Sequence, residues 1–292
     1  MTNEIQLQNS FAYNEFAYKG HFLQADKTLW AAYNEYAYIK YPLHDLNAPT
    51  KSEIEQIFKK KNPLLISYAV KTDLIKHNAY LYLCSSFQVS QLKDNFIRNI
   101  RKAEKIFTVK QINPAEILEI GLQCYTDTRK RIGLDDGTEK HFIDRFNTHH
   151  QRKNITYIGA FTGNELASFA SLMLYKDLVE IESIFGRNDF LPNRPNDLLI
   201  YSILNQALNI EKLNYVSYGF ASIQENNNEE GLHQFKLKCG FEAIPVKRIF
   251  LFQPKYRLLF GRFTKFVVKL LLKLFKKNTL LRKLNGILNQ KT

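Results

Sequence analysis

Two carboxylates, Glu180 and Glu182, lie two residues apart in the run Leu178–Phe185, whose β-branched and aromatic content reads as a strand. Strict alternation along a strand sends both glutamates to one side and Val179, Ile181, Ser183 and Phe185 to the other. Paired carboxylates on one face are candidates for general-base work, although a solvent-facing pair is spelled the same way. Shortly afterwards, Arg187 and Arg194 precede Asn196-Asp197-Leu198, where a helical run begins. Unpaired N–H groups at a helix start attract phosphate, and guanidiniums can add charge to the same anion. Tyr218 closes a later strand-like run, and Lys236 sits in a helical one. Three other reactive groupings carry less. His149-His150 lacks metal-ligand spacing, Cys239 stands where a core residue is expected, and Ser222 is outside any G-x-S-x-G turn.

The elements that must position these residues follow from periodicity. Helical spacing is expected near Ser52–Lys60, strands at Leu64–Val70 and Ala79–Cys84, and a basic helix over about Gln91–Lys105. A strand at Ile106–Gln111 then leads through Asn113-Pro114, a cap and first-turn proline, into a helix over Ala115–Arg131. After the turn Asp135-Asp136-Gly137 come a helix at Glu139–His150 and strands at Ile155–Phe161, Leu166–Leu174 and Leu178–Phe185. A helix through about Asn209, a strand at Tyr215–Tyr218, a helix near Glu229–Cys239 and a final strand at Phe241–Phe252 complete the order β-α-α-β-β-β-α-β-α-β.

That order resembles the GNAT fold of acyl-CoA-dependent N-acyltransferases, over about Asn95–Leu251. The run Gly231–Phe241, closing on Gly240-Phe241, is similar to that family's penultimate helix entering its last strand. Phe235-Lys236 ahead of the glycine, and Arg98–Lys105, more specifically resemble the Fem branch, whose members transfer aminoacyl groups to cell-wall precursors. The resemblance implies an α/β (α+β) fold, a mixed and mostly antiparallel sheet flanked by helices. It also implies a base on the third strand of the trio, Glu182 first for its nearness to the strand end and Glu180 second. Tyr218, at the end of the following strand, is read either as a proton donor to the leaving group or as a packing residue, and Lys236 as an electrostatic stabiliser near the reacting carbonyl or a phosphate. Donor contacts are expected from Arg187, Arg194, Asn196, Asp197 and Leu198. The sequence departs from the family in one respect: no glycine follows Gly186 before the Asp197 helix, where GNAT proteins keep a glycine-rich phosphate turn. The expected donor is acyl-CoA or acetyl-CoA, with no metal, and the acceptor an amine or hydroxyl of an amino-sugar, amino-acid or lipid-linked molecule. Charged tRNA is the alternative donor, and a non-catalytic binding module the alternative class.

Composition limits the remaining choices. The 292 residues are 45% hydrophobic and 24% charged, as in a folded globular protein. Tyrosines crowd the start of the chain at Tyr13, Tyr18, Tyr33, Tyr36, Tyr38 and Tyr41, which suits a packed, strand-rich region. Three scattered cysteines and the absence of a signal-like start at Met1–Ser10 point to the cytoplasm. The net charge is +13, yet eleven cations and no acidic residue lie between Gln253 and Thr292, leaving +2 for the rest. Three segments are therefore expected: 1–94, a shortened first GNAT-like module; 95–252, the transferase domain; and 253–292, a basic amphipathic helical tail. Lysines at 265, 269, 273 and 277 alternate with apolar residues, so the tail is expected either to dock on the body or, through 258–290, to meet an anionic membrane surface, the inner face in a cytoplasmic protein.

Overall fold

The computed structural model describes residues 22–34, 36–134, 137–150, 155–222, 229–257 and 259–290. The segment Met1–Ser10, the tyrosines Tyr13 and Tyr18, the pair Asp135-Asp136 and the side chains of His149 and His150 lie outside the described residues. In chain order the elements are β1 (Phe22–Ala25), β2 (Thr28–Asn34), β3 (Ala37–Tyr41), α1 (Lys51–Lys61), β4 (Leu65–Lys71), β5 (Ala79–Cys84) and α2 (Asp94–Glu104). They continue with β6 (Thr108–Ile112), α3 (Pro114–Ile120), α4 (Leu122–Arg131), α5 (Glu139–His150), β7 (Ile155–Thr162), β8 (Glu165–Tyr175) and β9 (Leu178–Gly186). The last are α6 (Pro195–Leu204), β10 (Tyr215–Phe220), α7 (Glu229–Lys238), β11 (Glu242–Phe252), α8 (Arg262–Leu274) and α9 (Thr279–Gln290).

The chain divides into two compact units that interleave in sequence. One holds Tyr82–Gly219 and Glu230–Glu242; the other takes the described residues before Tyr82 together with Phe220–Glu229 and the chain from Ala243 onward. The structure thus groups the last strand and the tail with the N-terminal region, where chain order alone suggested cuts at 94 and 252.

In the first unit, β6, β7, β8 and β9 form an antiparallel series, and β10 joins β9 in parallel. Parallel neighbours need a crossover, and α6 supplies it. Its buried face, including Leu198, Leu199, Ile200, Ile203 and Leu204, explains why this helix is apolar nearly all round. An aromatic core of Tyr125, Phe142, Phe146, Tyr157, Phe161, Phe169 and Phe185 fills the space beneath α3, α4 and α5. The expected single helix at Ala115–Arg131 is two helices meeting at Gly121. A Cβ there would lie 2.7 Å from the Ile117 carbonyl oxygen and 3.3 Å from both Phe142 and Phe169, so the junction is too crowded for any side chain.

In the second unit, β1, β2 and β3 form an antiparallel meander that sequence periodicity did not delineate. β3 and β4 pair in parallel with α1 between them, and β11 pairs antiparallel with β4 along seven residues. Thr50 and Glu53 close a capping box at the start of α1, each satisfying the other's backbone N–H. Trp30, Ile57 and Ile66 make the core. The tail is two helices rather than one: Val268 of α8 and Leu288 of α9 are buried with Phe252, and Leu65 packs against them.

Candidate active site

The carboxylate strand departs from strict alternation. Along β8 the residues Phe169, Ser171 and Met173 share one side, and Leu172 and Leu174 the other. Their partners on β9 are Phe185, Ser183 and Glu180 for the first set, and Ile181 and Val179 for the second, with the register shifting between Ser171 and Leu172. Glu182 is the extra residue of a β-bulge. Glu180 therefore shares a side with Ser183 and Phe185, contrary to the alternation expected from sequence. The direction of Glu182 is set by the bulge, a device that re-aims a side chain.

The same point is where the parallel pair ends. β10 meets β9 only at Tyr215↔Leu178, Val216↔Val179 and Ser217↔Glu180. Beyond it β9 is bulged, and β10 turns at Gly219, whose φ of +66° is the left-handed value that glycine adopts freely. The strands part between Glu180 and Ser217, and Glu182 and Tyr218 are the next or nearly next residues on either strand.

Lys236 of α7 lies against this end of β10. It is 3% exposed. Its Nζ stands 4.0 Å from the ring centre of Tyr82 and 4.4 Å from that of Tyr218, and donates to the Tyr218 carbonyl at 3.3 Å. No carboxylate pairs with it among the described residues. Loss of solvent lowers its pKa to about 7, from 10.5 for a hydrated lysine. Burial also pushes the Tyr218 phenol well above its ordinary value, with the Cys239 thiol adding to the shift. The phenol therefore stays protonated, and the Tyr218 ring and carbonyl hold Lys236. The Tyr82 hydroxyl lies 2.8 Å from Nδ1 of His233, one helical turn before Lys236. Sequence reading missed both Tyr82 and His233. The i, i+3 spacing of His233 and Lys236 was the available signal, but nothing local tied either to β5.

The expected donor-binding residues are largely engaged with the protein itself. Arg187 pairs with Asp189 at 2.5 Å and with Glu165 at 3.9 Å, and lies over Phe190. The hydrogen bonds Arg187 donates to the Asp189 carboxylate, outweighing partial burial, raise its pKa. Asp197 accepts from Lys238 and from Asn99, both at 2.8 Å, and is buried. Leu198 is core. Pro195 has no N–H, and the N–H groups of Asp197 and Leu198 donate to the Arg194 carbonyl, leaving that of Asn196 alone in the first turn of α6 without a partner among the described residues. The preceding loop spends its amides too, Arg187 on Ala167 and Asn188 on Asp127. Arg194 remains exposed at the helix start. Next to this loop, Lys102 of α2 donates to the Pro192 carbonyl at 3.4 Å. Arg98, Arg101, Lys102 and Lys105, at helical spacing, line a groove of about 580 Å³ along α2 with Asp94 and Ile97.

No protein-family model matches the chain, and no curated protein matches its sequence. Solved structures do. FemX is similar at a TM-score of 0.55 with 12% identity, over 82% of this chain and 89% of that one. The C-terminal domain of a protein designated a lysylphosphatidylglycerol synthetase, from Agrobacterium fabrum, is similar at 0.52 and 12%, over 78% and 83%. The L-PGS of Bacillus licheniformis is similar at 0.50 and 12%, over 86% and 88%. At such identities the likeness is one of fold: the chain has a GNAT-like fold of the kind carried by Fem-like enzymes.

Proposed function

We propose that the protein is an acyltransferase that moves an acyl group from a phosphate-bearing carrier onto an amine, with Lys236 as its proton-transfer group. The observation that carries this reading is a buried lysine between two aromatic rings, with no carboxylate among the described residues to neutralise it and a pKa brought to about 7. A group poised at working pH can both take and return a proton. Neutral Lys236 accepts the proton as the acceptor nitrogen attacks the carbonyl carbon. The resulting ammonium then donates to the sulfur or oxygen released with the carrier. This adds proton transfer to the electrostatic role expected from sequence, because a lysine brought to a pKa of about 7 is part neutral and part charged at neutral pH. Glu182, at the bulge, is proposed to orient the incoming amine, with Glu180 secondary.

For the donor, the parting of β9 and β10 favours acyl-CoA: an open strand edge suits a narrow, amide-bearing arm laid along it. The acceptor is proposed to be an amino-sugar, amino-acid or lipid-linked amine. A second reading, an aminoacyl-tRNA donor, is favoured by the spent amides before α6 and the four cations along α2, which suit a long polyphosphate better than one pyrophosphate. Titration of the full-length protein with acetyl-CoA and with charged tRNA, followed by single-turnover transfer to glucosamine and to amino acids, separates the two. Saturable acetyl-CoA binding with thiol release supports the first reading. Steeply salt-dependent tRNA binding with aminoacyl transfer supports the second. Binding of neither sinks the proposal.

A further inference from the structure

The outer face of α8 has the reverse of the polarity that water selects. Val268 and Leu272 turn inward, onto Phe252, Phe260 and Leu65 in the core of the second unit. On another face, Phe263, Phe266, Leu270 and Leu274 recur at spacings of three and four residues, one stripe of a helix. They are 79%, 65%, 50% and 73% exposed. Leu259 before the helix, and Phe275 and Leu280 after it, are exposed as well. A contiguous apolar surface of this kind on a folded unit marks a site of association. Its border is basic: Arg262, Lys269, Lys273, Lys276 and Lys277 are exposed beside it, and no acidic residue occurs after Phe252. Among the described residues no helix is long and apolar enough to cross a membrane.

We propose that α8 is an interfacial anchor for an anionic phospholipid bilayer, lying in the plane of the surface. The four-residue stripe sinks among the acyl chains, and the lysines meet lipid phosphates. Charge selects this occupant over a second copy of the chain, because two such tails would bring like charges together. It selects lipid over a purely polyanionic partner, because a polyanion offers nothing to Phe263, Phe266, Leu270 and Leu274. The helix is held from behind by Val268 and Leu272, so the face is presented ready-made instead of being ordered on contact. The inference uses no part of the transfer chemistry and stands or falls separately from it.

The test is co-sedimentation of the full-length chain with vesicles of phosphatidylcholine alone, or of phosphatidylcholine and phosphatidylglycerol in equal parts, at low salt. Binding to the mixed vesicles only is expected. Replacing Lys269, Lys273, Lys276 and Lys277 by glutamine should weaken it roughly fivefold per charge. Replacing Phe263, Phe266, Leu270 and Leu274 by serine should weaken it about a hundredfold or more while leaving the melting temperature unchanged, since those side chains are already in water. A second readout does not depend on the multiple variant. The only tryptophan, Trp30, is buried, so in Phe266→Trp the new indole should be quenched by brominated acyl chains when mixed vesicles are added. Absence of vesicle binding overturns the proposal. So does binding that survives the serine replacements, which would mark simple polycation attraction, or self-association abolished by them, which would mark an interface between copies.

Discussion

Two buried lysines, one in each unit, meet opposite surroundings. Lys40 of β3 is 3% exposed, as Lys236 is. Its Nζ reaches an Asp45 carboxylate oxygen at 2.6 Å and the carbonyls of Asp45 and Asn47 at 2.8 Å each. Burial pushes the Asp45 carboxyl up, but the hydrogen bond and charge of Lys40, with bonds from Asn47, outweigh it and hold the group below its ordinary value. Every donor of that ammonium has an acceptor, so the site is structural. Lys236 has one carbonyl and two ring faces. Equal burial yields a fastened charge in one place and a mobile proton in the other, and the difference lies in what the surroundings offer the charged form.

The contrast breaks most visibly at Lys236. Lys236→Met should reduce transfer by about 10²- to 10⁴-fold with donor affinity little changed. The same variant should not destabilise the fold. A lysine whose folded pKa is below its unfolded one binds fewer protons in the native state, so wild-type stability rises with pH between about 7 and 10.5. Melting curves of wild type and variant should converge as pH climbs through that window. Activity of the wild type should rise through a midpoint near 7, and a flat profile there would remove Lys236 from the proton-transfer role.

Glu182→Gln should cost roughly 10²-fold in turnover, and Glu180→Gln much less, because only Glu182 occupies the bulge where the strands part. Equal losses would show that the bulge does not single out either carboxylate.

Lys40→Met should do the converse of Lys236→Met, leaving the chemistry alone and costing about 2–3 kcal/mol of stability at neutral pH by stranding Asp45. Because the Asp45 pKa is depressed in the fold, that contribution is present above pH 3.8 and fades as pH falls through the lower folded value. Urea melts of the two proteins should therefore approach one another in acid.

The smallest expected effect sharpens the comparison. Tyr82→Leu removes a ring face that favours the ammonium, so the midpoint of the pH–activity profile should move to lower pH by about one unit or less. A shift to higher pH would mean that Tyr82 acts mainly by excluding water.

Local pattern was enough for much of this molecule. Alternation and turn residues delimited β7, β8 and β9, and Asn113-Pro114 marked the start of α3, because these signals depend on neighbours in sequence. The uneven charge, gathered after Phe252, was equally legible. Glu182 and Lys236 were candidates by residue type and position. The bulge that redirects Glu182 was not, since register is settled by the partner strand β8. Nor did composition separate Lys40 from Lys236. One has Asp45 five residues away in the chain, while the other's surroundings come from Tyr82, more than a hundred residues earlier, and from Tyr218. Arg187 and Asp197 read as phosphate ligands until Glu165, Asp189, Asn99 and Lys238 are brought up to occupy them. A side chain's type is written in the sequence, but its charge state and its availability are properties of the groups that folding packs around it.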